Sequence, residues 1–150
     1  MENINKKINI FGGIFFLANK LQNIGDLHLE GITTKQWMIL VIIGSFKEYK
    51  PTISEVSKKF GSSHQNVKQL ALKLEQKGFI EIKKDKSDQR VLRLGITEKN
   101  TQFWEERQDK DINFIMNLFN KVTAEELEAM NKGIEKIYKN MVKMKGELNG

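Results

Sequence analysis

Four pairs in this chain, each a Ser or Thr three residues ahead of a Glu or Gln, open an apolar helical pattern: Thr33 with Gln36, Thr52 with Glu55, Ser62 with Gln65 and Thr123 with Glu126. At that spacing the hydroxyl can accept a bond from the third backbone N–H while the longer side chain returns one to the cap, so each pair marks a helix start. The starts at Thr52 and Ser62 enclose only Ile53, Val56 and Phe60 as apolar positions, followed by Gly61, where a left-handed cap or tight turn is required. This punctuation predicts a mainly helical chain with one abrupt reversal between two short helices.

The second helix of that pair places Val67, Leu70, Ala71 and Leu74 on one stripe and Gln65, Lys68, Gln69, Leu72 and Gln76 on the other, with Gly78 ending it. Two short helices joined by a glycine turn, the second with a polar and partly basic outer face, read as a helix-turn-helix. Leu72 stands out as the apolar residue among the polar positions. The segments at 79–84 and 91–96 then alternate, so that Ile80, Ile82, Leu92, Leu94 and Ile96 share one face of a ribbon whose charged tip is KDKSDQ. Such a ribbon forms a wing beside the helix pair.

Helices are expected on both sides of this lobe. Residues 4–24 carry two apolar stripes, one through Ile4, Ile8, Phe11, Phe15 and Ala18, the other through Ile10, Ile14, Leu17, Leu21 and Ile24. Trp37 to Ile43 reads as a helix buried on most sides. Thr97 is a candidate start for a further helix, with Phe103, Ile112, Ile115, Met116 and Phe119 as its apolar positions. Beyond Thr123, the residues Leu127, Met130, Ile134, Ile137, Met141, Met144 and Leu148 recur at alternating steps of three and four, a heptad seam. The seam either packs within one chain or pairs two copies; a first helix this apolar beside it favours pairing.

Charge is unevenly placed. Residues 51–100 hold 11 basic and 6 acidic side chains, whereas 1–50 hold 6 and 4 and 101–150 hold 8 and 9. A basic patch on a near-neutral body is the footprint of a nucleic-acid reader, though a solvated lysine-rich face has the same composition. The chain has no cysteine and two histidines, His28 and His64, which argues against thiolate chemistry and His-based metal sites, and no phosphate loop or nucleophile elbow is present. No metal, cofactor or enzymatic activity is expected. The longest apolar run, Trp37 to Ile43, is too short to cross a bilayer, and the N-terminus lacks a signal peptide, so a cytoplasmic protein is expected.

The order of these elements resembles the MarR family of bacterial winged-helix transcriptional regulators. The most specific stretch is GFIEIKKDKSDQRVLRLGITEK, residues 78–99, whose Gly78, Asp85, Asp88, Arg90, Ile96 and Thr97 match the family's wing pattern. It departs from that pattern in Lys86 for a common proline, Gln89 for a second arginine, Ile82 for a basic residue and Asn100 for a frequent glycine. The missing arginine at 89 implies weaker or differently positioned wing contacts. The resemblance implies a mainly α chain with a two- to three-stranded β-wing: one domain, 1–150, with a winged helix-turn-helix lobe at 33–100 and a helical dimerisation region from 1–32 and 101–150. It also implies a homodimer with a small-molecule effector pocket between the dimer helices and the DNA-binding lobe. Phe11, Phe15, Phe16 and Trp37 are candidate pocket residues, each equally explicable as core.

Double-stranded DNA is the expected partner. With the second helix's N-terminus in the major groove, Ser62, Ser63, His64, Gln65, Asn66, Lys68 and Gln69 approach bases and phosphates. Asn and Gln pair bidentately with adenine, which predicts an A·T-rich inverted-repeat operator. Lys73, Lys84 and Lys86 add salt-sensitive attraction. Of the chain's three arginines, Arg90 and Arg93 lie in the wing, where a planar donor fork suits DNA. Arg90 can enter a narrow minor groove, steadied by Asp88. The leading expectation is a homodimeric repressor released by a small molecule; a winged-helix module that binds protein instead of DNA is the alternative. His28, between Leu27 and Leu29, reads as a loop or partly buried structural histidine.

Overall fold

A computed structural model describes residues 2–148, with side chains described from 3 to 146. Its elements are α1 (Glu2–Leu29), α2 (Thr34–Ser45), α3 (Ile53–Phe60), α4 (His64–Gln76), β1 (Ile80–Lys84), β2 (Leu92–Ile96), α5 (Glu98–Glu106), α6 (Gln108–Leu118) and α7 (Ala124–Leu148). The chain is mainly α with a small β-wing, as expected. It divides after Gln108 into two compact units. Among the described residues, no helix is long and apolar enough to cross a membrane.

Three of the four capping boxes form as read. Thr33 and Gln36 exchange bonds of 3.2 and 3.1 Å, Thr52 and Glu55 of 3.2 and 2.7 Å, and Thr123 and Glu126 of 3.2 and 2.8 Å. The fourth is corrected: the α4 cap is Ser63, not Ser62, and its Oγ accepts from Asn66 N at 3.2 Å. Gly61 lies in the left-handed region, with φ 75° and ψ 30°. Its turn uses one more residue than the Ser62–Gln65 pairing allows. Ser62 is left to close α3, donating its backbone N–H to Ser57 O at 3.2 Å.

Gly78, at φ 79°, ends α4 in the same manner. The bonds Phe79 N to Leu74 O (3.0 Å) and Gly78 N to Glu75 O (2.8 Å) make a Schellman motif. That reversal delivers the chain into β1. The ribbon is antiparallel, pairing Ile80 with Ile96, Ile82 with Leu94 and Lys84 with Leu92, so the five apolar residues do share one face. An isolated bridge between Thr52 and Arg93, with Leu94 N donating to Pro51 O at 2.9 Å, lays the chain before α3 along the outer edge of β2.

The core gathers Ile39, Leu40 and Ile43 of α2, Ile53 and Val56 of α3, Val67, Ala71 and Leu74 of α4, and Phe79, Ile80 and Leu94 from the wing, closed by Leu29 and Ile32. The expectation that Trp37 to Ile43 is buried on most sides is corrected: Trp37, Met38 and Val41 face outward, because α2 offers one face to the core and the rest to solvent. The first helix runs further than read, so His28 lies in its last turn and is half-buried rather than in a loop.

Arg107 closes this unit. Its Nη1 donates to Leu29 O at 2.9 Å and its Nη2 to His28 O at 2.8 Å, capping the α1 C-terminus where carbonyls lack helical partners. The guanidinium also lies 5.0 Å from the centroid of Phe103, whose ring meets Phe79 edge-on. In the second unit, among the described residues, α6 and α7 contain no buried side chain. The seam residues Leu127, Met130, Ile134, Ile137, Met141 and Met144 are all exposed, and the Leu148 side chain lies outside the described residues.

Candidate nucleic-acid interface

The helix pair presents α4 with its apolar face sealed. Val67, Ala71 and Leu74 are fully buried, so His64, Gln65, Asn66, Gln69 and Lys73 stand exposed on the opposite side; Lys68 and Ser62 are half-buried at its margins. Ser63 is exposed at the helix start, where unpaired backbone N–H groups favour an anion. Asn66 is less free than its residue type implies, because its Nδ2 donates to Ser62 Oγ at 2.8 Å. Gln65 and Gln69 are the other exposed amides on this face.

At the wing tip, Asp85 organises the turn. Its Oδ1 accepts from Ser87 N (2.9 Å), Ser87 Oγ (2.6 Å) and Asp88 N (3.1 Å), while its Oδ2 accepts from Arg93 Nε at 2.7 Å. The bonds from Ser87, and then from Arg93, hold this carboxyl well below the ordinary carboxylate range. Asp88 grips the next residue but one: Oδ1 accepts from Arg90 N and Nε at 3.0 and 3.1 Å, and Oδ2 from Nη2 at 3.3 Å. The ion pair expected between these residues is thus present, and it lowers the Asp88 pKa. The Arg90 side chain is 90% exposed, a projecting cation aimed by its carboxylate. Lys84 and Lys86 are exposed beside it.

Arg93 does something else, and here the sequence reading is corrected. Two of its three nitrogens are engaged within the protein: Nε binds Asp85, Nη1 donates to Lys50 O at 3.0 Å and sits 3.8 Å from Glu55 Oε2, and the guanidinium lies 5.9 Å from the Tyr49 centroid. It staples the wing tip to the segment entering α3. Glu55 in turn accepts from Tyr49 Oη at 2.9 Å, and its pKa is lowered chiefly by the bond from Thr52 N. On the same face Glu81 takes Lys50 and Lys83, each at 2.6 Å, and the bond from Lys50, then that from Lys83, pulls its carboxyl down to about 2. Alternation alone puts Glu81, Lys83 and Arg93 on the solvent side of the ribbon; that the Lys50–Thr52 segment covers part of that side is a tertiary fact.

A second linkage lies behind α4. Lys77 Nζ donates to Gly31 O (2.5 Å) and to Gln36 Oε1 (3.1 Å), tying the end of α4 to the α1–α2 turn. That turn is also fixed by Thr34 N donating to Asp26 Oδ1 at 2.6 Å. Lys77, Arg93 and Arg107 were not read from the sequence as structural residues, since each bonds to backbone carbonyls remote along the chain.

The aromatic candidates separate. Phe11, Phe15 and Phe16 are exposed by 60% or more, which excludes them from the core of this chain. Trp37 instead lines a cleft of about 310 Å³ with Leu40, Val41, Gly44, Ile96, Asn100 and Trp104. Asn100 is buried there, and its Oδ1 accepts from Trp104 Nε1 at 3.0 Å.

A helix pair with a polar outer face and a β-ribbon carrying a projecting arginine define a winged-helix fold. The MarR family's sequence model matches residues 30–91, which span α2, α3, α4 and the wing tip. The transcriptional repressor MprA of Escherichia coli (strain K12) is 28% identical over 118 residues, 79% of this chain and 67% of that protein. Among solved structures, a MarR protein from Peptoclostridium difficile DA00132 superposes with a TM-score of 0.77 at 24% identity, over 89% of this chain and 87% of the other. FabT of Streptococcus pneumoniae, solved in complex with DNA, superposes with a TM-score of 0.66 at 25% identity, over 93% of this chain and 99% of the other. Over its winged-helix lobe the chain is similar to the MarR family of transcriptional regulators.

Proposed function

We propose that two copies of this chain form a repressor that binds an A·T-rich inverted repeat and is released by a small molecule. The 33–100 lobe binds DNA, and the helical regions 1–32 and 101–150 pair the protomers. The observation that carries the reading is the co-presentation, in one lobe, of an amide- and lysine-bearing α4 face and the Asp88-aimed Arg90 on the wing. The first suits the major groove, and the second the narrow minor groove beside it.

Support for pairing comes from unsatisfied apolar surface. Phe16 is 76% exposed and Leu27 82% on α1, and Ile134 is 61% exposed on α7. Faces this apolar are rare on monomers and mark association surfaces. Two linked lobes then reach half-sites about one helical turn apart, and the second contact becomes intramolecular. The repressor MprA supports the direction of control, and the Trp37 cleft, within the size range of small-ligand pockets, suits an apolar effector.

Selection of bound sequences from a random duplex pool, followed by fluorescence-anisotropy titration at two salt concentrations, tests this. The expected result is an A·T-rich inverted repeat whose affinity falls steeply with salt. Absence of binding at low salt overturns the DNA reading and leaves the protein-binding module in its place.

A further inference from the structure

Leu72 is the one apolar residue among the exposed side chains of α4, and it is 42% exposed, whereas Val67, Ala71 and Leu74 of the same helix are fully buried. It stands seven residues after Gln65, three after Gln69 and four before Gln76, so all four lie on one outward stripe. A single leucine bracketed by glutamines and Lys73 is too small to make an apolar docking patch for a protein. In the major groove, however, one group is apolar: the 5-methyl of thymine.

We infer that Leu72 reads a thymine methyl group and sets sequence preference at one position of each half-site. The inference rests on α4 being the recognition helix. Three helical residues rise about 4.5 Å, a little more than one 3.4 Å base step. Gln69 and Leu72 therefore face neighbouring base pairs, one through an amide and one through a methyl contact. A half-site read this way requires thymine beside the pair that Gln69 contacts, and cytosine fails there because it lacks the methyl and presents an amino donor to a side chain with no acceptor.

The test uses a duplex recovered by wild-type protein from the random pool. Each thymine of one half-site is replaced singly by deoxyuridine, which deletes the methyl and keeps the base pairing. One replacement per half-site is expected to weaken wild-type binding about fourfold, the worth of one buried methyl, and about fifteenfold when both half-sites carry it. Leu72→Ala is expected to bind thymine and uracil duplexes equally at that position while keeping the wild-type melting temperature. Equal wild-type affinity for every uracil duplex overturns the inference, as does a Leu72→Ala variant that keeps the thymine preference. Failure to recover any duplex overturns the recognition-helix reading itself, a separate outcome. The wild-type arm needs no variant and stands whether or not Leu72→Ala folds.

Discussion

The winged-helix lobe and the terminal helices use the same kinds of residue to opposite ends. In the lobe, apolar side chains from three helices and two strands close on one another, and Ile39, Val56, Val67, Leu74 and Leu94 are essentially inaccessible. In α1 and α7, apolar stripes of equal regularity stay exposed. An amphipathic pattern states that a face will be buried; it does not state against what. The lobe answers from its own chain, whereas the exposed faces of the terminal helices are what the proposed pairing would cover.

The largest expected effect breaks the contrast at its exposed side. Ile134→Lys combined with Met141→Lys is expected to cost association at least about 4 kcal/mol, roughly a thousandfold in the dimer dissociation constant. Sedimentation equilibrium reads this, with helix content by circular dichroism unchanged. A dimer of wild-type strength in that variant would refute the pairing surface.

On the buried side, Leu94→Ala is expected to lower unfolding free energy by about 3 kcal/mol in urea, because the cavity opens where sheet and helices meet. Ile115→Ala, on half-exposed α6, is expected to stay within about 0.5 kcal/mol when measured on monomer. Arg107→Met sharpens the boundary between the regions. It removes two charge-assisted bonds to α1 carbonyls and is expected to cost about 3 kcal/mol, with hydrogen exchange rising first at Leu27 to Leu29.

Within the lobe the two wing arginines make a smaller comparison. Arg90→Ala is expected to weaken DNA binding about tenfold and to flatten its salt dependence while the melting temperature holds. Arg93→Ala is expected to lower both together, since it unfastens Asp85 from Lys50 and Glu55. A variant at Arg93 that changes affinity alone would show that this side chain touches DNA.

The smallest effect is electrostatic. The folded-state pKa of Glu81 lies near 2, below its ordinary value of 4.5, so its pairing with Lys50 and Lys83 stabilises the fold above about pH 4.5 and is lost as pH falls toward 2. Glu81→Gln is expected to show a shallower loss of melting temperature across that window than wild type. Both side chains are substantially exposed, so solvent screening keeps the difference modest.

Local signals were the legible ones. The spacing of a hydroxyl to a Glu or Gln three residues on marked helix starts at Thr33, Thr52 and Thr123, and the two-residue period placed Ile80, Ile82, Leu92, Leu94 and Ile96 on one face. The α4 start slipped by one residue because Ser62 and Ser63 both offer a hydroxyl, and the left-handed turn at Gly61 decides between them. The exposed face of α4 and the Asp88–Arg90 pair were legible too, since each is set within one helix or one turn. Arg93 was misread because its partners, Lys50 O and Asp85, come together only when the ribbon folds back on the segment before α3.

The amino-acid order by itself determined the helix starts at Thr33, Thr52, Thr97 and Thr123, the apolar face of the ribbon, and that the cationic excess falls in the middle third. Only the tertiary structure decided which cations remain outward: Arg90 projects, while Arg93, Lys77 and Arg107 bind carbonyls from distant stretches of chain. The physical reason is range. Capping and periodicity act over three or four residues, whereas a guanidinium's partner is whatever acceptor folding carries within about 3 Å of it.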